Sequence, residues 1–358
     1  MVKYIGSKRL LVPAITAIAR HLPIVTACDL FAGTTRVGQG LRRAGITVHS
    51  NDLATYSETL GHAYIAAGDD VDRDRIRELL AHLGTLPGER GYFTETFCER
   101  SRFFQPHNGM RVDAIRNEID RLTLTAVERG LLLTSLMEAA DRVDSTCGLQ
   151  MAYVKQWAQR SFNELTLREP VSVDGPPGVV TRLDANELAP RLAGLDCTYL
   201  DPPYNQHSYF SNYHVWETLM RWDAPDHYGV ACKRDDCRTT KSDFNRRRDA
   251  WDSLSQLVSE LQTRWLIVSF SDEGFHAPGD LHELLSTKGY VSCAAIDAKR
   301  YVGAQIGIHA PSGELVGEVS HLRNKELLFV VGPDEELVGS ALSDALGGRE
   351  RDQLVVGH

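Results

Sequence analysis

Asp201, Pro202, Pro203 and Tyr204 follow directly on the short apolar run Cys197–Leu200, within the stretch CTYLDPPYNQHSYFSNYH. Asp and Pro both favour turns, so at its plainest this is a strand terminus with turn chemistry. The same residue types in this order also suit a pocket for a flat ring bearing an amino group. An exocyclic aromatic amine is a poor nucleophile because its lone pair is delocalised into the ring. Hydrogen bonds accepted from both amine hydrogens would localise that pair and direct it at an electrophile. The Asp201 carboxylate can take one and the Pro202 carbonyl the other, while the two prolines fix φ and hold that carbonyl in place. Tyr204 stands next to them, where its ring can stack.

A second group of residues sits at DLFAGTTRVG (29–38), where a strand passes into a helix. Gly33 permits a tight turn, and the helix start offers free N–H groups to an anion. Nineteen residues on, Asp52 ends the next strand, where an acidic side chain accepts hydrogen bonds from ribose hydroxyls. These features suggest an adenosine-containing cofactor and suit NAD and S-adenosylmethionine alike. The DPPY segment distinguishes them, because an activated amine needs an electrophile and a sulfonium methyl is one. If the strands ending at Phe31 and Asp201 are neighbours, both groups face one crevice at the carboxyl ends of a doubly wound sheet.

The elements that must position these residues are legible as alternating strands and helices. Strands are predicted at 25–31, 46–52, 179–184, 197–201, 264–271, 289–296 and 325–332, and Trp251, Leu254, Val258 and Leu261 mark a helix face. The pattern predicts a mostly parallel sheet with helices on both sides. Between the second and third strands the spacing turns helical, through Ile76, Leu79, Leu80 and Leu83, then Val112, Ile115, Ile119 and Leu122. Leu132, Leu133, Leu136 and Met137 predict a third helix, and Met151, Val154 and Ala158 a fourth. The organisation expected is therefore a catalytic domain made of 1–61 and 176–332 around a helical insertion at 62–175. PPG at 176–178 marks the return to the sheet, and 333–358 is expected to be a loosely held tail.

Composition bounds the class. Of 358 residues, 42% are hydrophobic and 24% charged, an ordinary globular balance, and no apolar run approaches a membrane span. The start lacks a signal peptide's apolar core, and seven scattered cysteines predict reduced thiols and a cytoplasmic setting. Cys232 and Cys237 have no second pair at zinc-finger spacing and read as loop cysteines. A net charge of −9 argues against a polyanionic partner, yet Lys233, Arg234, Arg238, Lys241, Arg246, Arg247 and Arg248 form a basic run. Such a run is either a phosphate-binding surface or a solvated face. Tyr209, Asn212, Tyr213 and His214 divide between contacting nucleic acid and ordering their own loop. Trp216 reads as core, His276 and His282 as surface, and Lys299, Arg300 and Tyr301 as candidate phosphate contacts.

YIGSK (4–8), FAG (31–33), Asp52, Asp184, DPPY (201–204), SFSDEG (269–274) and NKELLFV (324–330) occur in the order seen in adenine-specific DNA methyltransferases. The chain resembles their alpha group, in which target recognition lies between the cofactor half and DPPY. The resemblance extends from Val2 to Gly332. It implies a Rossmann-like, mixed seven-stranded α/β sheet with an inserted, mainly helical target-recognition domain. It also implies S-adenosyl-L-methionine as cofactor, double-stranded DNA as substrate, and a cognate restriction endonuclease as an optional partner. Tyr4, Gly6, Lys8, Phe31 and Gly33 would line the methionine side of the pocket, with Asp52 on the ribose and Asp184 at the adenine end. Asp201 would touch cofactor and target, with Pro202, Pro203 and Tyr204 completing the catalytic set. If the substrate is DNA, the candidates to contact it are the residues weighed above: Tyr209, Asn212, Tyr213, His214, Lys233, Arg234, Arg246, Arg247 and Arg248. Thr35 stands where many relatives have a second glycine. Methylation of cytosine's exocyclic amine is the alternative within the class, although those relatives more often carry Ser in place of Asp201. An NAD-dependent oxidoreductase would share 29–52 and leave DPPY unexplained. A non-catalytic DNA-binding module would not need the cofactor residues.

Overall fold

The computed structural model describes residues 2–4, 8–151, 153–154, 156–299, 308–309, 315–317 and 323–347. Each of the seven predicted strands forms: β1 (Thr26–Asp29), β2 (Thr47–Asn51), β3 (Val179–Thr181), β4 (Cys197–Leu200), β5 (Trp265–Ser271), β6 (Tyr290–Lys299) and β7 (Arg323–Gly332). They make one sheet in the order β3-β2-β1-β4-β5-β7-β6. The first five run parallel, and β7 is antiparallel to both of its neighbours. β4 and β5 are buried throughout, as expected of strands covered on both faces.

Order reverses between β1 and β4, which pair with Asp29 opposite Tyr199. That junction is the switch point where ligands gather in such sheets. One face of the sheet packs helices Val12–His21, Arg36–Arg43 and Glu335–Ala345 around Ile15, Ile18, Leu41, Ala341 and Leu342. The other packs Ala250–Glu260 and Pro278–Ser286 around Leu254, Leu257, Val258 and Leu281. The expected tail is thus corrected in part. Asp334 caps a helix by accepting from the Leu337 N–H, and Val338, Ala341 and Leu342 are buried. An amphipathic face outweighs the acidic, glycine-containing composition that suggested a loose end.

The segment between β2 and β3 is helical, with helices Arg73–Thr85, Pro106–Arg121 and Ala126–Arg142 on the predicted faces. Asp72 caps the first, and Thr125 with Glu128 forms a capping box on the third, each cap contributing about 1 kcal/mol. The fourth predicted helix is absent: among the described residues 151–158 carry no helix. This segment is instead tied down by local bonds, with Val154 N–H donating to the Ser145 carbonyl and Ala158 N–H to Ser145 Oγ. The helical segment shares one hydrophobic core with Tyr56, Leu60, Tyr213, Trp216 and Leu219, which belong to chain on either side of it. Cys232 and Cys237, read as loop cysteines, are buried.

Candidate active site

At the switch point the carboxyl ends of β1, β2 and β4 open into a cavity of about 270 Å³. Its floor is the turn after β1. Gly33 takes a left-handed φ of 51°, and Thr35 follows at 59°, fully buried, with its N–H bonded to the Ala32 carbonyl at 2.6 Å. The position at which the resemblance leads one to expect a second glycine therefore keeps a glycine-like conformation with a threonine in it. A Cβ on Gly33 would touch the Tyr4 ring at 3.4 Å, so the backbone and the aromatic approach closely there.

Two carboxylates hold this turn. Asp52 Oδ2 accepts from the Gly33 N–H at 2.8 Å and its Oδ1 from the Ala54 N–H at 2.9 Å. Asp29 Oδ2 accepts from the Gly38 N–H at 2.9 Å. Burial raises both acids, Asp29 to about 7, with the negative charges of Asp201 and Asp52 adding to the effect there. Behind them Asn51 ties three strand ends together. Its Nδ2 donates to the Leu30 and Leu183 carbonyls, and its Oδ1 accepts from Thr181 Oγ1 and the Leu183 N–H.

On the far side of the cavity stands the DPPY segment. Asp201 Oδ1 accepts from Ser269 Oγ at 3.1 Å and pairs with Lys8 Nζ at 3.1 Å. Burial raises the Asp201 carboxyl, and Lys8 and Ser269 oppose it. Lys8 is itself buried, which disfavours its charge, but Asp201 and Glu326 outweigh that and raise it well above the ordinary range. Pro202 is buried. Tyr204 leans on Phe270 with ring centroids 6.0 Å apart, and its carbonyl accepts from the Phe275 N–H at 2.9 Å. Burial pushes the Tyr204 phenol up to about 12.

The structure brings Tyr4, Lys8, Phe31, Gly33, Asp52, Asp184, Asp201 and Pro203 to this one cavity, and Tyr209 lines it too. Gly6, Arg300 and Tyr301 lie outside the described residues. Four expectations for DNA contact are corrected. Tyr213 is fully buried and stacks on Tyr4 at 4.4 Å. His214 is fully buried, its Nε2 bonded to the Gln150 carbonyl, and burial holds its pKa at about 3. Asn212 is buried, with its carbonyl accepting from the Gln150 N–H. Arg234 is 1% exposed and forms ion pairs with Asp223 and Asp236, which makes it the anchor of a corner. Lys233 is half-buried, and Arg246, Arg247 and Arg248 are exposed, with Arg246 and Arg248 paired to neighbouring aspartates.

Sequence reasoning passed over Asp29, Asn51, Glu217 and Phe244. Phe244 meets Phe31 edge-on at 5.2 Å over the cavity, and Glu217 accepts from both the N–H and the hydroxyl of Thr55. Asp29 and Asn51 each immediately precede or open a segment that was singled out, and an acid or amide at a buried strand end was the available signal. Phe244 and Glu217 lie in helical or loop segments, and nothing in their spacing marks them.

The cavity offers carboxylates, an aromatic wall and a glycine turn on one side and an amine acceptor on the other. Those walls fit a cationic, ribose-bearing ligand placed against a flat base. The model of the D12 class of N6 adenine-specific DNA methyltransferases matches residues 4–269. The chain is 29% identical to the modification methylase StsI of Streptococcus sanguinis, over 88% of this chain and 51% of that protein. It is 29% identical to the type II methyltransferase M.NlaIII of Neisseria lactamica, over 83% of this chain and 92% of that protein. With M.FokI of Planomicrobium okeanokoites it shares 29% over 73% of this chain and 42% of that protein. The chain thus spans about half the length of two of these relatives and nearly all of the other. A match that runs from the Tyr4 stack through the Gly33 turn and DPPY to the Ser269 that supports Asp201 settles the lineage: this chain belongs to the D12 class of N6 adenine-specific DNA methyltransferases, whose methyl donor is S-adenosyl-L-methionine.

Proposed function

We propose that this chain by itself transfers a methyl group to the N6 amine of an adenine flipped out of duplex DNA. The observation that carries the reading is the placement of Asp201 across one cavity from the Gly33 turn, with Oδ1 already held by Lys8 and Ser269. Asp201 accepts a hydrogen bond from one amine hydrogen, and the Pro202 carbonyl accepts the other. When bound, S-adenosylmethionine would supply an electrophilic methyl on a sulfonium, whose C–S bond would give way to the new N–C bond with its electron pair left on sulfur. The nitrogen then sheds one proton to the Asp201 carboxylate, whose raised pKa suits it to hold that proton briefly. Positioning of this kind can contribute roughly 7–11 kcal/mol.

Asp52, Asp29 and Asp184 serve the cofactor side, with Asp52 on the ribose once it shares its Gly33 bond. Tyr204 or Tyr209 supports the extruded base. Residues 62–175 act as the target-recognition part, and Lys233 with Arg246, Arg247 and Arg248 meets backbone phosphates. The relatives' names, modification methylase and type II methyltransferase, support a place in a restriction system with a cognate endonuclease. The test is incorporation of radiolabelled methyl into DNA, followed by single-molecule sequencing of DNA from a methylation-free host expressing the chain. N6-methyladenine in one sequence context is expected, and Asp201→Ala should abolish it; turnover near wild type in that variant overturns the mechanism.

A further inference from the structure

We infer that Glu326 is a positioning residue for methyl transfer, acting on Asp201 through Lys8; this rests on the reading of Asp201 as the amine acceptor. Lys8 Nζ lies 3.1 Å from Asp201 Oδ1 and 3.0 Å from Glu326 Oε2, and Lys8 is only 7% exposed. Glu326 comes from β7, the antiparallel strand, opposite Ser271 of β5. Because β7 runs against β5, its first residues lie at the rim where the parallel strands end. Leu328 and Val330, two and four residues on and on the same face, belong to the apolar core, so a glutamate interrupts that face beside Lys8. Glu326 lies beyond residues 4–269, the part of the chain that the family model matches.

The charges explain what a second acid does there. Lys8 with Asp201 alone would be a neutral pair, and the ammonium would compete with the substrate amine for the carboxylate. Glu326 draws the ammonium toward itself and leaves the cluster with one net negative charge. That charge faces an amine that becomes positive as the methyl arrives. Oδ1 of Asp201 is occupied by Lys8 and Ser269, the latter held by the Tyr199 hydroxyl at 2.7 Å, and neither donor is on Oδ2. The cluster therefore presents one oxygen, with Lys8 favouring its charge and Glu326 raising its affinity for the proton that the amine sheds. Asp29 from β1, Tyr199, Tyr204, Tyr209 and, beside Glu326, Asp272 are the other titratable groups electrostatically coupled to it among the described residues.

The experiment uses the full chain with duplex DNA and measures single-turnover methyl transfer against pH, with cofactor affinity by calorimetry. Glu326→Gln is expected to slow transfer roughly tenfold or more while cofactor Kd stays within about twofold. With the glutamate charge gone, Lys8 serves Asp201 alone, the carboxylate protonates less readily, and the acid limb of the rate profile moves to lower pH. Lys8→Met should move that limb to higher pH. In the Lys8→Met background, Glu326→Gln should add little, because its route to Asp201 is gone. Glu326→Asp, which keeps the charge, should recover part of the rate and stands in if the Gln variant does not fold. Additive losses in the double variant, or an unmoved acid limb, would mean a structural role only and overturn the inference. An inactive wild type would overturn the function itself; an active wild type matched by Glu326→Gln overturns this inference alone.

Discussion

Asp29 and Asp52 lie on one wall of the cavity and differ in what they hold. Asp52 bonds both the Gly33 and Ala54 N–H groups, so it joins the turn after β1 to the helix after β2. Asp52→Ala should weaken S-adenosylmethionine binding by about tenfold or more, since a charge-assisted bond and the turn geometry are lost together. Calorimetry should show little change for DNA; a selective loss of DNA affinity would assign this strand end to the substrate. Asp29 is held protonated up to about pH 7 by burial. A cation beside it favours the carboxylate, so binding the sulfonium expels a proton. Affinity should therefore rise as pH increases from about 6 toward and through 7, and proton release should appear in buffers of different ionisation enthalpy. Asp29→Asn should remove both effects. Titrations that overlay at all pH values would show that Asp29 does not sense the ligand.

At the scale of elements, the basic run divides between two jobs. Arg234 forks between Asp223 and Asp236 and, by donating to Thr218 Oγ1, locks the short ribbon of His227–Tyr228 with Lys233–Arg234 to the helix His214–Arg221. Its partners are about a third exposed, so Arg234→Ala should cost less than the 3–5 kcal/mol of a fully buried pair, roughly 2 kcal/mol, read as a lower urea midpoint. Neutralising Arg246, Arg247 and Arg248 should leave that midpoint unchanged. It should instead weaken binding to all DNA sequences alike and flatten the salt dependence by about 0.9 in slope for each phosphate no longer neutralised. An unaltered slope would make this a solvated face. A separate constraint governs the return from the helical segment to the sheet. At Gly178 a Cβ would stand 2.0 Å from the Val48 carbonyl oxygen, and the Gly178 N–H donates to the Ile65 carbonyl. Gly178→Ala should destabilise by about 1–3 kcal/mol, because the backbone must move to admit a methyl. Thermal unfolding that matches wild type would show that the β2–β3 junction yields.

For the whole molecule, the net charge of −9 means that the proposed DNA substrate would have to be met by local basic clusters against an overall repulsive field. The helical segment does not stand apart from the catalytic sheet. Its core runs on into Tyr56 and Leu60 before it and Tyr213, Trp216 and Leu219 after DPPY. On the proposed reading of 62–175 as the target-recognition part, DNA bound there would bear on the helix His214–Arg221 that follows DPPY, a physical route from recognition to base extrusion. Stacking on a base is worth about 1–3 kcal/mol by truncation, against a few kcal/mol to flip one. With 2-aminopurine at the target position, Tyr204→Ala should lower the fluorescence rise and turnover, and Tyr204→Phe should keep both. A wild-type response from Tyr204→Ala would move that role to Tyr209, a half-buried aromatic of the cavity wall.

The sequence by itself determined the strands, their alternation with helices, and the DPPY and Gly33 segments that define the site. These are local properties: buried strands need apolar runs, and turns need glycine and proline. Order along the chain carried the rest of the lineage. What the tertiary structure decided is which polar residues face the cavity and which face the core. Tyr213, His214 and Arg234 have the composition of a DNA surface, yet burial against Tyr4, Gln150 and two aspartates makes them framework. Glu326, over three hundred residues from Lys8, joins Asp201 only because an antiparallel strand brings its first residues to the ends of the parallel ones. Spacing along a chain encodes a face of one element. Which elements those faces meet depends on packing between distant segments, and there the energy of burial, rather than residue type, assigns the role.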